Sequence, residues 1–221
     1  RFIYGGGSLD RFGRLANVNR GIEDGSLIAE EYSSLSVAFR YLAGALGLPF
    51  IPIRSLSGSD LLQQLKEKHP EDIANIDDPF TGKNWLVLKP LHPDVAIVAA
   101  QIADGEGNAR IPGPKWDNSE QAKASKRTIV ITEHLVPTEF MRQKPEETII
   151  PGFMVSHVVE QPFGSYPTSM YREYDYDGSQ IEKYVGAQAT TESFKNYLEE
   201  FVLSTEDHWK EKQDARHQQR P

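Results

Sequence analysis

The stretch that most constrains the fold is "VAIVAAQIADGEGNAR", Val95 to Arg110. It opens on six successive apolar residues, too few for a membrane span and without helical spacing. A strand apolar on both faces is one covered on both sides, which is the setting of a parallel strand under helices. The run then breaks into acids and glycines. Glu106 lies between Gly105 and Gly107, just past the carboxyl end of that strand, where open α/β sheets bind ligands. The same "DGEGN" is ordinary tight-turn chemistry, with Gly and Asn supplying positive φ. Taken alone, the motif favours the turn.

The rest of the chain alternates strands with helices. Leu35, Ala38, Phe39, Leu42 and Leu46 fall at helical spacing, and Gly47 and Pro49 end that helix. Phe50 to Arg54 reads as a short buried strand. Ser59 is the N-cap of a helix over "DLLQQLKEKH". "IDDPFTGKN" reads as a loop. "WLVLKP", "RTIVITE" and "GFMVSHVVEQ" read as further strands, and "DNSEQAKASK" as a short helix capped by Asp117 or Asn118. "PFGSYPTSMYREYDYDGSQ" reads as an ordered loop. A last amphipathic helix puts Phe194, Tyr197, Leu198, Phe201 and Val202 on one face. The expected fold class is therefore α/β, an open and mostly parallel sheet flanked by helices, with a C-terminal amphipathic helix. The expected domain runs over residues 1–209, followed by a polar tail, 210–221.

Composition closes off several functions. Cysteine is absent, so disulfides, thiolate metal sites and a cysteine nucleophile are excluded, and the cytoplasm is the expected compartment. The net charge is -8, and no basic cluster precedes the last few residues, which argues against nucleic acid. No 18-residue apolar run exists, so no membrane helix is expected. His69, His92, His134, His157, His208 and His217 show no metal-ligand spacing, so no metal site is expected. His157, inside a strand, reads as a hydrogen-bonded core residue.

Two other stretches are candidates for anion binding. "YGGGSLD" follows a strand-like segment, and Gly5, Gly6 and Gly7 expose backbone N–H groups that suit a phosphate or carboxylate. It matches neither nucleotide fingerprint, and a flexible turn explains it equally well. "LSGSD" places Ser57, Gly58 and Ser59 at a helix start, either as an anion site or as plain capping.

Several stretches resemble, in the same order, the α subunits of family I CoA-transferases, most of all those of the glutaconate CoA-transferase type. They are "NVNRGIEDGSLIAEEYS", "AGALGLPFIP", "GSDL", "IDDPF", "PDVAIVAAQIADGEGNARI", "ASKRTIVITEH", "IPGFMVSHVVEQPFGSYPTSMY" and "YDYD", reaching to about Trp209. Asp104, Gly107 and Asn108 match the family's "ADxxGN" motif, and Glu106 occupies a variable position of it. The resemblance therefore assigns Glu106 to the turn.

The resemblance implies an enzyme that moves CoA from an acyl-CoA thioester to a carboxylic acid, a dicarboxylate or 3-oxo acid. Its nucleophile is a glutamate of a partner β subunit, so no catalytic residue is expected in this chain. It also implies no permanently bound cofactor, with coenzyme A entering as the substrate thioester. The positions implied to bind substrate are Gly5 to Gly7, Ser33 and Ser34 at a helix start, and Ser57, Gly58 and Ser59. Relatives often carry Gln or Asn where Ser34 stands. Family members carry about two strand–helix units ahead of the stretch matching "RFIYGGG", so a separate polypeptide supplying those strands is expected. Two other functions stay open: an acyl-CoA or ring-opening hydrolase on the same scaffold, and a ligand-binding module without chemistry.

Overall fold

The computed structural model describes residues 1–204, so the expected tail 210–221 lies outside the described residues. In chain order the strands and helices are β1 (Phe2–Tyr4), α1 (Ala16–Glu23), β2 (Ala29–Glu31), α2 (Ser34–Leu46), β3 (Ile51–Ile53), α3 (Asp60–Lys68), β4 (Ile73–Asp77), β5 (Asn84–Leu88), β6 (Val95–Asp104), β7 (Ala109–Arg110), α4 (Asn118–Ala124), β8 (Arg127–Val136), α5 (Thr138–Arg142), β9 (His157–Glu160), α6 (Gly178–Ala187) and α7 (Thr191–Phe201). No described helix is long and apolar enough to cross a membrane.

The chain divides into two compact units. Residues 1–6 and 28–162 form the first, and residues 7–27 with the described residues 163–204 form the second. The first unit is α/β with mixed sheets. β6, β8 and β9 run parallel, with Ile97 opposite Ile129 and Ile131 opposite Val159, and β7 folds back antiparallel against Ile102 and Ala103. β1 and β2 form a short parallel pair. "WLVLKP", expected in the parallel series, instead lies as β5 between β3 and β4, antiparallel to both. The hairpin explains it. Asp78 accepts from the backbone N–H of Phe80 and the hydroxyl of Thr81, Gly82 takes φ +70°, and the chain reverses within "DPFTG". Ile76 and Asp77, read as loop, are the end of β4.

One core cluster of the first unit is built from small residues. Ala96, Val98 and Ala100 of β6 and Val130 of β8 pack on Ala122 of α4, and the Thr128 hydroxyl donates to the Ala122 carbonyl at 3.1 Å. A second gathers Tyr32, Ile53, Leu56, Leu65, Leu86 and Leu88. The larger sheet differs from expectation in one respect: β6 is not covered on both faces. Its even-numbered residues 96, 98 and 100 are buried, whereas Val95 and Ile97 are exposed, Ile97 at 65%.

Helix α2 shows a second departure. The apolar face read from spacing is only partly buried: Ala38, Phe39 and Leu42 are half-buried, whereas Leu35 is 52% and Leu46 63% exposed. The buried stripe is Ser36, Arg40 and Ala43. Arg40 decides the rotation. Its guanidinium lies over the Tyr32 ring, pairs with Asp72 at 3.2 Å and donates to the Lys89 carbonyl at 2.8 Å. Gly44 passes so close to Leu91 that a Cβ there would stand 2.1 Å from its carbonyl oxygen.

In the second unit, α6 lies inside what reads as loop followed by the last helix. Asp177 caps it, accepting from Gln180 N–H at 3.1 Å. The 163–177 segment is an ordered loop as expected, with Phe163 stacked on Tyr174. The amphipathic face of α7 packs Phe194 and Tyr197 against Tyr184 of α6, while Val202, placed on that face by spacing, is exposed.

Candidate functional site

β1 and β2 run parallel, so their carboxyl ends open on the same side, the side where open α/β sheets take ligands. Gly5 follows β1 there, and α2 starts directly after β2. Ser33 caps α2, its Oγ accepting from the Ser36 N–H at 3.2 Å. Ser34 Oγ donates to the Gly5 carbonyl at 2.7 Å. A Cβ on Gly5 would sit 2.6 Å from Ser34 Cα, so only glycine lets β1 and α2 approach this closely. The first N–H groups of α2 have no carbonyl one turn back within the helix, and with the helix dipole they favour an anion.

A chain of hydroxyls extends from that point. Ser33 and Ser36 oxygens are 2.7 Å apart, and Ser36 and Ser55 oxygens are again 2.7 Å apart. Ser36 is fully buried. This chain ties the start of α2 to the loop that precedes α3. In that loop Ser57 and Gly58 are exposed, Gly58 with φ +78°. Ser59 caps α3, accepting from Leu62 N–H at 3.3 Å and donating to the Leu56 carbonyl at 2.8 Å. Two of the predicted clusters are thus joined through Ser36 and Ser55, which sequence reasoning did not single out. Their only signal was a serine-rich context repeated in "SSLS" and "RSLS". Gly6 is exposed with φ +89° and open space around it, and Gly7 begins the second unit.

Beside the first turn of α2 is a cavity of about 450 Å³. Gly5, Ser34, Leu35, Val37 and Ala38 line it, with Trp116 and Asp117 from the segment ahead of α4. Burial, and after it the Asp117 carboxylate, pushes the Tyr41 phenol above its ordinary value.

The "ADxxGN" segment is a lock. Asp104 is fully buried and accepts from the N–H of Glu106 at 3.1 Å, the N–H of Asn108 at 2.8 Å and the Asn108 amide at 2.8 Å. Asn108 in turn accepts from Gly152 N–H at 3.0 Å. Gly107 has φ +92°, and a Cβ there would stand 2.8 Å from Val155 Cβ. Glu106 contributes backbone to this turn, while its side chain is exposed. His157, read as a core residue, is exposed at the start of β9, because it sits on the uncovered face of the sheet.

Residues 4–161 match the sequence model described as Coenzyme A transferase. The chain is 36% identical over 197 residues to the A chain of glutaconate CoA-transferase from Acidaminococcus fermentans, a match covering 84% of this chain and 62% of that one. It is 31% identical over 198 residues to the corresponding A chain of 3-oxoadipate CoA-transferase from Pseudomonas knackmussii, covering 88% of this chain and 68% of the relative. The crystal structure of the Acidaminococcus fermentans glutaconate enzyme superposes with a TM-score of 0.86 at 32% identity, over 93% of this chain and 69% of the other. A longer Archaeoglobus fulgidus relative, 40% identical over 191 residues, is spanned over 41% of its length. The chain thus spans less than two thirds of both the Archaeoglobus protein and the glutaconate relative. The α/β architecture, the glycine-bound turn at Asp104 and these matches agree, and the chain belongs to the coenzyme A transferase family.

Proposed function

We propose that this chain is the α-type part of a CoA-transferase that passes CoA from an acyl-CoA to a carboxylic acid, a dicarboxylate or 3-oxo acid. The observation that carries the reading is the match to the corresponding chains of two such enzymes over 84% and 88% of the chain. The reacting carboxylate is a glutamate of a β subunit. Its oxygen attacks the thioester carbonyl and expels CoA thiolate, leaving an acyl-glutamyl anhydride. The thiolate then attacks the glutamyl carbonyl, which forms glutamyl-CoA and frees the first acid. A second acid repeats the sequence in reverse and leaves as its CoA ester. Each step exchanges one acyl bond for another, so no oxidant or metal is needed to balance it.

In this reading the chain holds the acyl end. The N–H groups at the start of α2, the Ser33 hydroxyl, the Ser34 backbone and the backbone of Gly5 to Gly7 and of Ser57, Gly58 and Ser59 face the carboxylate and the developing oxyanion, while the Ser34 hydroxyl holds Gly5 in place. The Ser33–Ser36–Ser55 hydroxyl chain, buried at Ser36, supports this, since it orients the donors before substrate arrives. Asp104, Gly107 and Asn108 hold the neighbouring strand end. The assembly with the β subunit works in the cytoplasm.

The test is co-expression with a β-type subunit carrying a Gly-flanked glutamate. Incubation with acyl-CoA followed by borohydride reduces glutamyl-CoA to the alcohol, a mass change read on the β subunit. Ping-pong exchange of CoA between two acids is the expected result. Acid release that needs no acceptor means a hydrolase. Absence of both turnover and adduct removes the enzyme readings and leaves ligand binding.

A further inference from the structure

We propose that the acyl group held at the start of α2 has an uncharged, apolar tail, and that Asp117 makes this chain select monocarboxylic acids, simple or 3-oxo, over dicarboxylic ones. This narrows the substrate class given above, and it rests on the reading that the first turn of α2 takes the reacting carboxylate. The cavity beside that turn supplies the grounds. Beyond Gly5 and Ser34 its walls are Leu35, Val37 and Ala38 of α2, with Trp116 and Asp117 from the segment ahead of α4. Trp116 is 80% and Leu35 52% exposed, so both leave apolar surface in water that a bound alkyl chain would cover. A volume of about 450 Å³ suits a pocket that encloses a small molecule.

Charge decides which small molecule. One carboxylate finds partners here, in the first N–H groups of α2 and the positive end of its dipole. A second carboxylate finds none. Among the described residues the lining holds no lysine, arginine or histidine. Arg40, the one basic residue of α2, is 1% exposed and engaged with Asp72 and the Lys89 carbonyl. Lys115 lines a separate cavity of about 120 Å³ with Ile111 and Asn118. A carboxylate drawn out of water without a cation or hydrogen bonds to meet it is costly. Asp117 adds repulsion. Burial, and after it the Asp117 charge, raises the Tyr41 phenol, so the field of that carboxylate is felt along α2 beyond Ala38. A dicarboxylate anchored at the start of α2 would carry its second charge into the same cavity. A space of this size keeps the two like charges within the Debye length of about 8 Å at physiological ionic strength. A monocarboxylic acid brings only its alkyl chain.

The test compares pentanoate with glutarate, which share a five-carbon chain and differ in the second carboxylate. Each is titrated calorimetrically into this chain assembled with a β-type subunit, in the absence of acyl-CoA. Pentanoate is expected to bind at least about tenfold more tightly. Added salt should shrink that ratio, because it screens the repulsion. Asp117→Asn keeps the shape of the side chain and should bring the ratio to within about threefold by strengthening glutarate, and Asp117→Lys should invert it. Trp116→Ala should weaken pentanoate at least about fivefold. Equal affinity for the two acids, tighter binding of glutarate, binding of neither, or a ratio that Asp117→Asn leaves unchanged overturns the proposal. No CoA transfer enters these titrations. A complex that keeps the preference and transfers no CoA sinks only the enzymatic reading. One that transfers CoA to glutarate as readily as to pentanoate sinks only the selectivity proposed here.

Discussion

At the residue scale the site depends on atoms that are missing. Gly5 has no Cβ, and that lets Ser34 donate to its carbonyl. Gly5→Val would push β1 off α2 against backbone, which cannot yield as a flexible side chain does. The expected cost is about 2 kcal/mol in a denaturant titration, with CoA transfer lost in the assembled enzyme. Asp104 and Glu106 make a contrasting pair. Asp104→Ala strands three donors in a half-buried turn, and groups left unsatisfied when fully buried cost about 1–3 kcal/mol each. A loss of roughly 3 kcal/mol in chemical denaturation is expected, as the turn partly rehydrates. Glu106→Gln keeps the backbone bond to Asp104 and changes only an exposed side chain. Turnover of the complex should stay within about twofold, in line with the small effects of substitutions away from a site's partners. A collapse of turnover with stability intact would move the nucleophile into this chain.

At the element scale α2 is the instructive case. Its helical character and both of its ends are legible, since Ser33 caps one end and Gly47 takes φ 67° at the other. Its rotation is not. Spacing favours burying Leu35 and Leu46, but one buried ion pair and one stacked ring outweigh those contacts and turn Ser36, Arg40 and Ala43 inward. Arg40→Met tests this. Removing one partner of a buried pair leaves Asp72 exposed to a low dielectric, although Lys89 stands 3.6 Å from it and Arg1 also reaches it. The midpoint of thermal unfolding should fall by a shift corresponding to about 3 kcal/mol, and the double variant Arg40→Met, Asp72→Asn should recover part of it.

For the whole molecule, pH sensitivity follows from buried phenols. Burial raises the pKa of Tyr32, Tyr41 and Tyr184 above 10.0. A group whose folded pKa is raised lends stability that is complete below its unfolded value and is lost as pH rises through the folded one. Unfolding free energy should therefore hold up to about pH 10 and fall beyond it as unfolded phenols ionise first. Midpoints measured between about pH 8 and 11, with Tyr32→Phe flattening the alkaline slope, check it. The acid limb has the opposite sign. Asp78 and Asp94 are lowered from 3.8, Asp78 by bonds from Thr81 and Phe80 and Asp94 by Lys126, so their contribution fades only as pH drops below that value.

The sequence by itself determined the α/β class, the main strands, the caps at Ser33, Gly47 and Ser59 and the turn at Asp104 to Asn108. Each rests on neighbours within a few residues: alternation of side chains, a hydroxyl reaching its own helix, a glycine with positive φ. Only the tertiary structure decided that β5 runs antiparallel between β3 and β4, that α2 buries an arginine, and that Ser36 and Ser55 link two candidate clusters. It also decided that His157 and Ile97 lie on an open face. These depend on pairs far apart in the chain, where register, a buried charge or an unpaired edge selects among arrangements that local spacing leaves equal in energy.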